Sequence, residues 1–243
     1  MQYLLRRQVI LGLFFWAGCS ALAHGQLRGG LNLPDHDEKR YHFGINLGMN
    51  KSHFNFSHHP RFLTQDSVMA VESINSTGIN LAWLVNLNLS NHFSLRTYPL
   101  NLTFSERAFQ YALTYPDRPL GEAPLTTKKV QSITLSLPVQ VKFMSDRIDN
   151  LKVYTIGGAK MDYDLAANAG KKNAEELILL KKFDFAVEAG IGFHIYFPYF
   201  VLSPELRISR GLVNLHSRNP GLKFSSNVDQ IYSRMITFSL TVE

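Results

Sequence analysis

Apolar side chains recur at every second position in eight separate stretches of this chain, and that period of two constrains its fold more than any other feature. Tyr41, Phe43, Ile45, Leu47 and Met49 alternate with His42, Gly44, Asn46, Gly48 and Asn50. Ile79, Leu81, Trp83, Val85 and Leu87 alternate with Asn80, Ala82, Leu84 and Asn86. Ile133, Leu135, Leu137, Val139, Val141 and Phe143 stand against Thr134, Ser136, Pro138, Gln140 and Lys142, and residues 183–195 repeat the pattern. Only an extended strand sends successive side chains to opposite faces. Four less regular stretches, 92–106, 150–163, 199–210 and 234–242, complete the eight. Within 92–106 the apolar face shifts from Phe93 and Leu95 to Leu100, Leu102 and Phe104. That change of parity at Tyr98-Pro99 predicts a bulge, because proline cannot donate to a strand ladder.

A soluble sandwich also alternates, so strand length and connections decide the setting. The runs 79–89 and 183–195 reach the 9–11 residues or so that a tilted strand needs to cross hydrocarbon, whereas sandwich strands average five or six. Connections alternate between long polar ones (51–77, 107–128, 164–181, 211–231) and short ones (90–91, 144–149, 197–198). No stretch after residue 23 is apolar enough for a spanning helix. The expected fold is therefore all-β: an eight-stranded antiparallel transmembrane β-barrel with short periplasmic turns and long extracellular loops. Both termini fall on the periplasmic side, and outer-membrane lipid is the expected surround.

Residues 1–23 read as a signal peptide. Arg6 and Arg7 precede the apolar run Val9–Gly18, and Ala21-Leu22-Ala23 offers the small-x-small cleavage pattern before His24. A lipoprotein signal ending at Cys19, the single cysteine, is the rival reading, weakened by Trp16 in the site. Residues 24–39 form a periplasmic lead-in and 40–243 the barrel. Removing two arginines and no acid lowers the net charge from +6 to +4, with no basic cluster longer than two residues, which argues against a nucleic-acid partner.

Strand parity turns nine charges inward: Arg96, Lys142, Lys152, Lys160, Asp162, Asp184, Glu188, Glu205 and Arg207. An eight-stranded barrel is just wide enough for side chains to fill, so these ions are expected to form a structural charge network rather than a conduction path. No nucleophile elbow, phosphate loop, dinucleotide fingerprint or metalloprotease motif is present, and no enzyme activity or cofactor is expected. His53, His58, His59 and Asp66 have ligand chemistry but read as a polar loop, so no metal is assigned. A rim hydrolase built from Asp162, Asp164 and His216, with Glu106 and Asp117 nearby, is a distant alternative. Residues 174–182 fit either a short amphipathic helix or the rising part of the sixth strand, the strand being preferred.

Several stretches together resemble the PorT family, outer-membrane β-barrel proteins of the type IX secretion system. They are Leu33 to Gly44, the pair Glu106-Arg107, Leu137 to Phe143 with Ser145-Asp146-Arg147, Tyr154 to Gly158, and Pro198-Tyr199-Phe200 with Ser203 to Arg207. The resemblance runs from about residue 31 to the end of the sequence. It implies a non-enzymatic component needed to move sorting-domain cargo, secreted proteases and gliding-related adhesins among it, across the outer membrane alongside other secretion-system proteins. It carries over no site residues. The lead-in residues Asp35, Asp37, Glu38, Lys39 and Arg40 are the candidate partner contacts. An OmpA-like structural or adhesion barrel is the alternative reading.

Overall fold

The computed structural model describes residues 30–59, 68–113, 124–166, 180–217 and 228–243. The chain divides into two compact units, Met1–Asn32 and Leu33–Glu243. Only residues 30–32 of the first are described; the second is the barrel.

Nine strand segments build it: β1 (Tyr41–His58), β2 (Val68–Ile74), β3 (Ser76–Asn88), β4 (Phe93–Leu113), β5 (Leu125–Met144), β6 (Leu151–Asp164), β7 (Phe183–Tyr196), β8 (Val201–Gly211) and β9 (Val228–Val242). They make eight staves. β3 pairs with β4 up to Gly78↔Ser105, and β2 continues along the same edge from Ile74↔Ala108, so the two are one stave broken at Asn75. The circuit runs β4-β3-β1-β9-β8-β7-β6-β5 and closes through β5 on β4, antiparallel throughout. A closed sheet leaves no edge with unpaired backbone groups, the condition for a strand-built span in lipid. Among the described residues no helix is long and apolar enough to cross a membrane.

The predicted bulge falls where Pro99 requires it. Between Trp83↔Leu100 and Val85↔Thr97, Leu84 alone faces Tyr98 and Pro99. Tyr98 keeps the inward parity of Ser94 and Arg96 and is fully buried in the lumen, while Pro99 and Leu100 both face outward and shift the parity of the residues after them. Short turns close one end: Leu89 donates to Phe93, Ile148 and Leu151 bond reciprocally at 2.9 Å, and Phe197 donates to Phe200. Asp149 takes the left-handed conformation (φ 53°) that the tightest of these turns needs. Tyr41 and Glu243 lie at this same end.

The connections at the opposite end are shorter than the sequence suggests, because the strands run on into them. β1, β4 and β5 have 18, 21 and 20 residues, about twice what the hydrocarbon requires. Along β1 the outward face is apolar from Tyr41 to Met49 and polar from Lys51, while the inward face changes from His42, Asn46 and Asn50 to Phe54. A wall that is greasy outside and polar inside suits lipid; a wall that is polar outside and greasy inside suits water. The barrel therefore emerges from the membrane near residue 51 and continues as a collar. At the usual tilt, eight residues at about 3.3 Å each lift it roughly 20 Å. Phe54, Val71, Phe109, Tyr111, Leu180, Leu215, Val228 and Ile231 fill the inside of the collar, with Phe54 and Phe109 stacked at 5.3 Å.

Candidate functional site

The lumen is filled at three levels. At mid-height, Glu205 on β8 is the anion around which the others gather. Its carboxylate accepts from Arg96 Nη2 on β4 at 2.6 Å and from the Tyr154 hydroxyl on β6 at 2.8 Å, and Arg207 Nε lies at 2.9 Å. Arg96 Nε also donates to Gln140 at 2.8 Å, and Gln140 in turn donates to Glu188. Both guanidinium groups stand within 5.3 Å of the Tyr98 ring. Arg96, Glu205 and Arg207 are almost wholly shielded from solvent, so the charges are held by one another and by aromatic faces rather than by water. Gly192 makes the room: a Cβ there would run into the Tyr154 ring.

The other inward charges lie apart from this cluster. Lys160 pairs with Asp162 at 2.9 Å. Asp184 stands opposite Asp162 in the β6–β7 register and accepts from Ser233. Lys142 meets the imidazole of His194 at 3.0 Å, and His194 meets Ser203 at 2.7 Å. Lys152 is paired with a residue outside the strands, Asp37. All nine side chains that parity assigns to the interior are inside, but they form separate groups rather than one network.

Residues 33–39, the part of the lead-in within the barrel unit, lie over the short-turn mouth. Pro34–His36 forms a single 3₁₀ turn, after which Asp37 reaches into the opening. Its carboxylate accepts from Tyr196 at 2.7 Å and lies 3.4 Å from Lys152 and 3.5 Å from Arg147. Arg147 caps the assembly by stacking on the Tyr196 ring at 3.6 Å. Burial alone would raise the Asp37 pKa; the Tyr196 hydroxyl and the Lys152 and Arg147 charges outweigh it and hold the carboxyl below its ordinary range. Asp35, Glu38, Lys39 and Arg40 are exposed, whereas Asp37 is turned inward and engaged. A cavity of about 320 Å³ remains behind the lead-in, lined among others by His36, His42, Lys142, Lys152, His194 and Glu243.

The described rim candidates Asp164 and His216 are each engaged by other groups. Asp164 accepts from Ser132 at 2.7 Å and from the backbone N–H of Ala166, while His216 is buried against the Asp229 carbonyl at 3.2 Å. Asp117 lies outside the described residues, as do Asp66 and most of 174–182. His53 meets its strand neighbour Asn55 at 2.8 Å. The histidines the structure does bring together are His36 and His42, with Glu243. Sequence reasoning misses the group because Glu243 stands at the far end of the barrel domain from His36 and His42.

Residues 26–217 match the family described as outer membrane protein beta-barrel domain. No curated protein matches the sequence. Solved structures with a similar course include Neisserial surface protein A (9% identity, TM-score 0.42, covering 84% of this chain and 99% of that one). OprG from Pseudomonas aeruginosa (11%, 0.45, 87% and 97%) and the attachment invasion locus protein Ail of Yersinia pestis, solved with a heparin analogue (11%, 0.37, 84% and 98%), are others.

Proposed function

Because the chain belongs to the outer membrane protein β-barrel domain family, we propose that it acts without catalysis, as a sealed outer-membrane scaffold that presents a rigid collar for structural or adhesive contacts. The observation that carries this reading is the inversion of polarity along β1. Below Lys51 the wall is built for lipid; above it the same stave is built for water, with its interior closed by Phe54, Phe109 and Tyr111. A lumen blocked by the Arg96–Glu205–Arg207 cluster and by Asp37 leaves surfaces, not a pore, to do the work. The collar then faces the exterior, and the lead-in and both ends of the barrel domain face the periplasm.

Involvement in type IX secretion is the second reading, resting on the resemblance to PorT. One observation favours it. Three of the resembling stretches, 33–44, 145–147 and 198–200, all lie at the short-turn end, where Asp37 meets Arg147. The exposed Asp35, Glu38, Lys39 and Arg40 offer a charged surface there for other secretion components.

A deletion strain separates the two. The scaffold reading expects weakened envelope integrity or surface adhesion with normally processed sorting-domain cargo. The secretion reading expects that cargo to accumulate unprocessed in the periplasm. Steady ohmic conductance of the purified protein in planar bilayers would overturn the sealed-barrel premise of both.

A further inference from the structure

The short-turn mouth holds a group of side chains that neither reading uses. His36 sits on the 3₁₀ turn of the lead-in, His42 at the start of β1 and Glu243 just beyond β9, and their ligand atoms all lie within 4.8 Å of one another. Two imidazoles and one carboxylate are the donor set of many three-residue sites for first-row divalent ions.

Each ligand is anchored by its own element. Glu243 is tied to β8 by a reciprocal backbone pair with Val201 at 2.9 and 3.0 Å. Its side chain turns into the mouth because β1 carries Gly44 there: a Cβ at 44 would lie 2.9 Å from Glu243 Cγ. The Oε1 of Glu243 is buried and has no hydrogen-bond partner, the condition of a carboxylate oxygen that awaits a cation. His42 Nε2 lies 3.0 Å from the Lys39 carbonyl and 3.0 Å from the Asn88 amide nitrogen, which itself donates to that carbonyl at 2.9 Å. When Nε2 donates to the carbonyl, Nδ1 keeps its lone pair for a metal, a second-shell arrangement shared with metal-bound histidines. Asp37, the nearest other carboxylate of the lead-in, is engaged by Lys152 and Arg147.

We propose that His36, His42 and Glu243 form a binding site for a divalent transition-metal ion, zinc being the best match to the donor set, which pins the lead-in across the barrel mouth. All three residues also line the cavity behind the lead-in, which has room for water or a carboxylate as a further ligand. The ion joins the first and last staves to the segment preceding them, so its role is that of a clasp. This goes beyond the scaffold reading and stands whether or not that reading does.

The test uses untagged protein purified from outer membranes in detergent and stripped with a chelator. Competition titration with zinc should show one equivalent per chain, and cobalt(II) in its place should give the visible absorption of a tetrahedral site. His36→Ala and Glu243→Gln should each weaken zinc binding by at least about tenfold. A His53→Ala/His59→Ala control should bind as the parent does. Heat-modifiable gel migration checks that each variant remains a folded barrel, which is expected for His36→Ala because the residue lies outside the strands. Zinc should also slow proteolysis of the lead-in. Unchanged affinity in both ligand variants, or no saturable binding at millimolar zinc, overturns the proposal.

Discussion

Replacing Glu205 with alanine tests the mid-lumen cluster most severely. Its carboxylate is shared by Arg96 and Arg207, both buried. At an effective dielectric near 20, a pair with charge centres about 4 Å apart gains about 4 kcal/mol, so the two pairs gain about 8 kcal/mol. Burying three ions costs several kcal/mol each, so the cluster as a whole lies near break-even. Deleting Glu205 does not. Two guanidinium groups would then face each other in a dry lumen, and the expected loss is about 3–5 kcal/mol. Glu205→Gln keeps an acceptor for Arg96 and Tyr154 and should lose less. The triple exchange Arg96→Met, Glu205→Leu, Arg207→Met removes the whole charge set and should come close to the parent. Equilibrium urea unfolding in lipid vesicles, followed by tryptophan fluorescence, measures all four proteins. An alanine variant within about 1 kcal/mol of the parent would mean that water already screens the cluster. A triple variant weaker than the single one would mean that attraction, not desolvation, dominates.

Three further outcomes follow from the wall and the mouth. Gly157 faces outward, and nothing lies within 4 Å of the place a Cβ would take there, whereas a Cβ on Gly158 would strike the Val139 carbonyl and lie 2.8 Å from Gln140 Cα. Gly157→Ala should therefore be neutral or stabilising by up to about 1 kcal/mol, and Gly158→Ala destabilising by about 1–3 kcal/mol, in the same unfolding assay. Ile191 is 53% exposed on the lipid-facing side of β7, so Ile191→Arg should cost about 2–4 kcal/mol in vesicles, a penalty absent from the matching change at the water-facing Asn55. Asp37→Asn should leave the barrel folded but expose the lead-in to protease in detergent. Equal protection in parent and variant would show that the contacts to Tyr196, Lys152 and Arg147 do not hold the segment.

Much of the barrel is legible in the sequence because parity is a local property. The outward sets Ile45–Leu47–Met49 and Phe238–Leu240–Val242 name the lipid face without knowledge of any partner strand, and the count of such sets gives eight staves. The same logic puts Arg96, Lys142 and Glu205 inside. It cannot say which charge meets which. Arg96 and Glu205 lie 109 residues apart on non-adjacent staves, and their meeting depends on the stagger between strands, a quantity no single strand encodes. Nor can it tell that Lys152 is answered by a lead-in aspartate, because residues 33–40 carry no periodicity to place them.

One signal has two causes, and the pairing register separates them. The apolar set of β4 changes parity at Tyr98-Pro99, and that of β1 changes parity between Met49 and Phe54. In β4 the change comes from an extra residue, and the pairing with β3 and β5 slips there. In β1 the pairing with β9 runs unbroken from Ile45↔Val242 to Ser57↔Gln230, so no residue is inserted and no side chain changes face. What changes is the medium: the same outward face meets lipid at Met49 and water at Lys51. A parity change beside a proline therefore indicates chain geometry, whereas one among Lys, Ser, His and Asn indicates the edge of the membrane. The polar stretch after residue 50 is accordingly strand rather than loop. The closure of β1 on β9 adds a second consequence: in any barrel that joins its first and last staves, residues just before the first strand meet those just after the last. His36, His42 and Glu243 are neighbours for that reason, and the ends of such a chain are where a clasp can be built from residues remote in sequence.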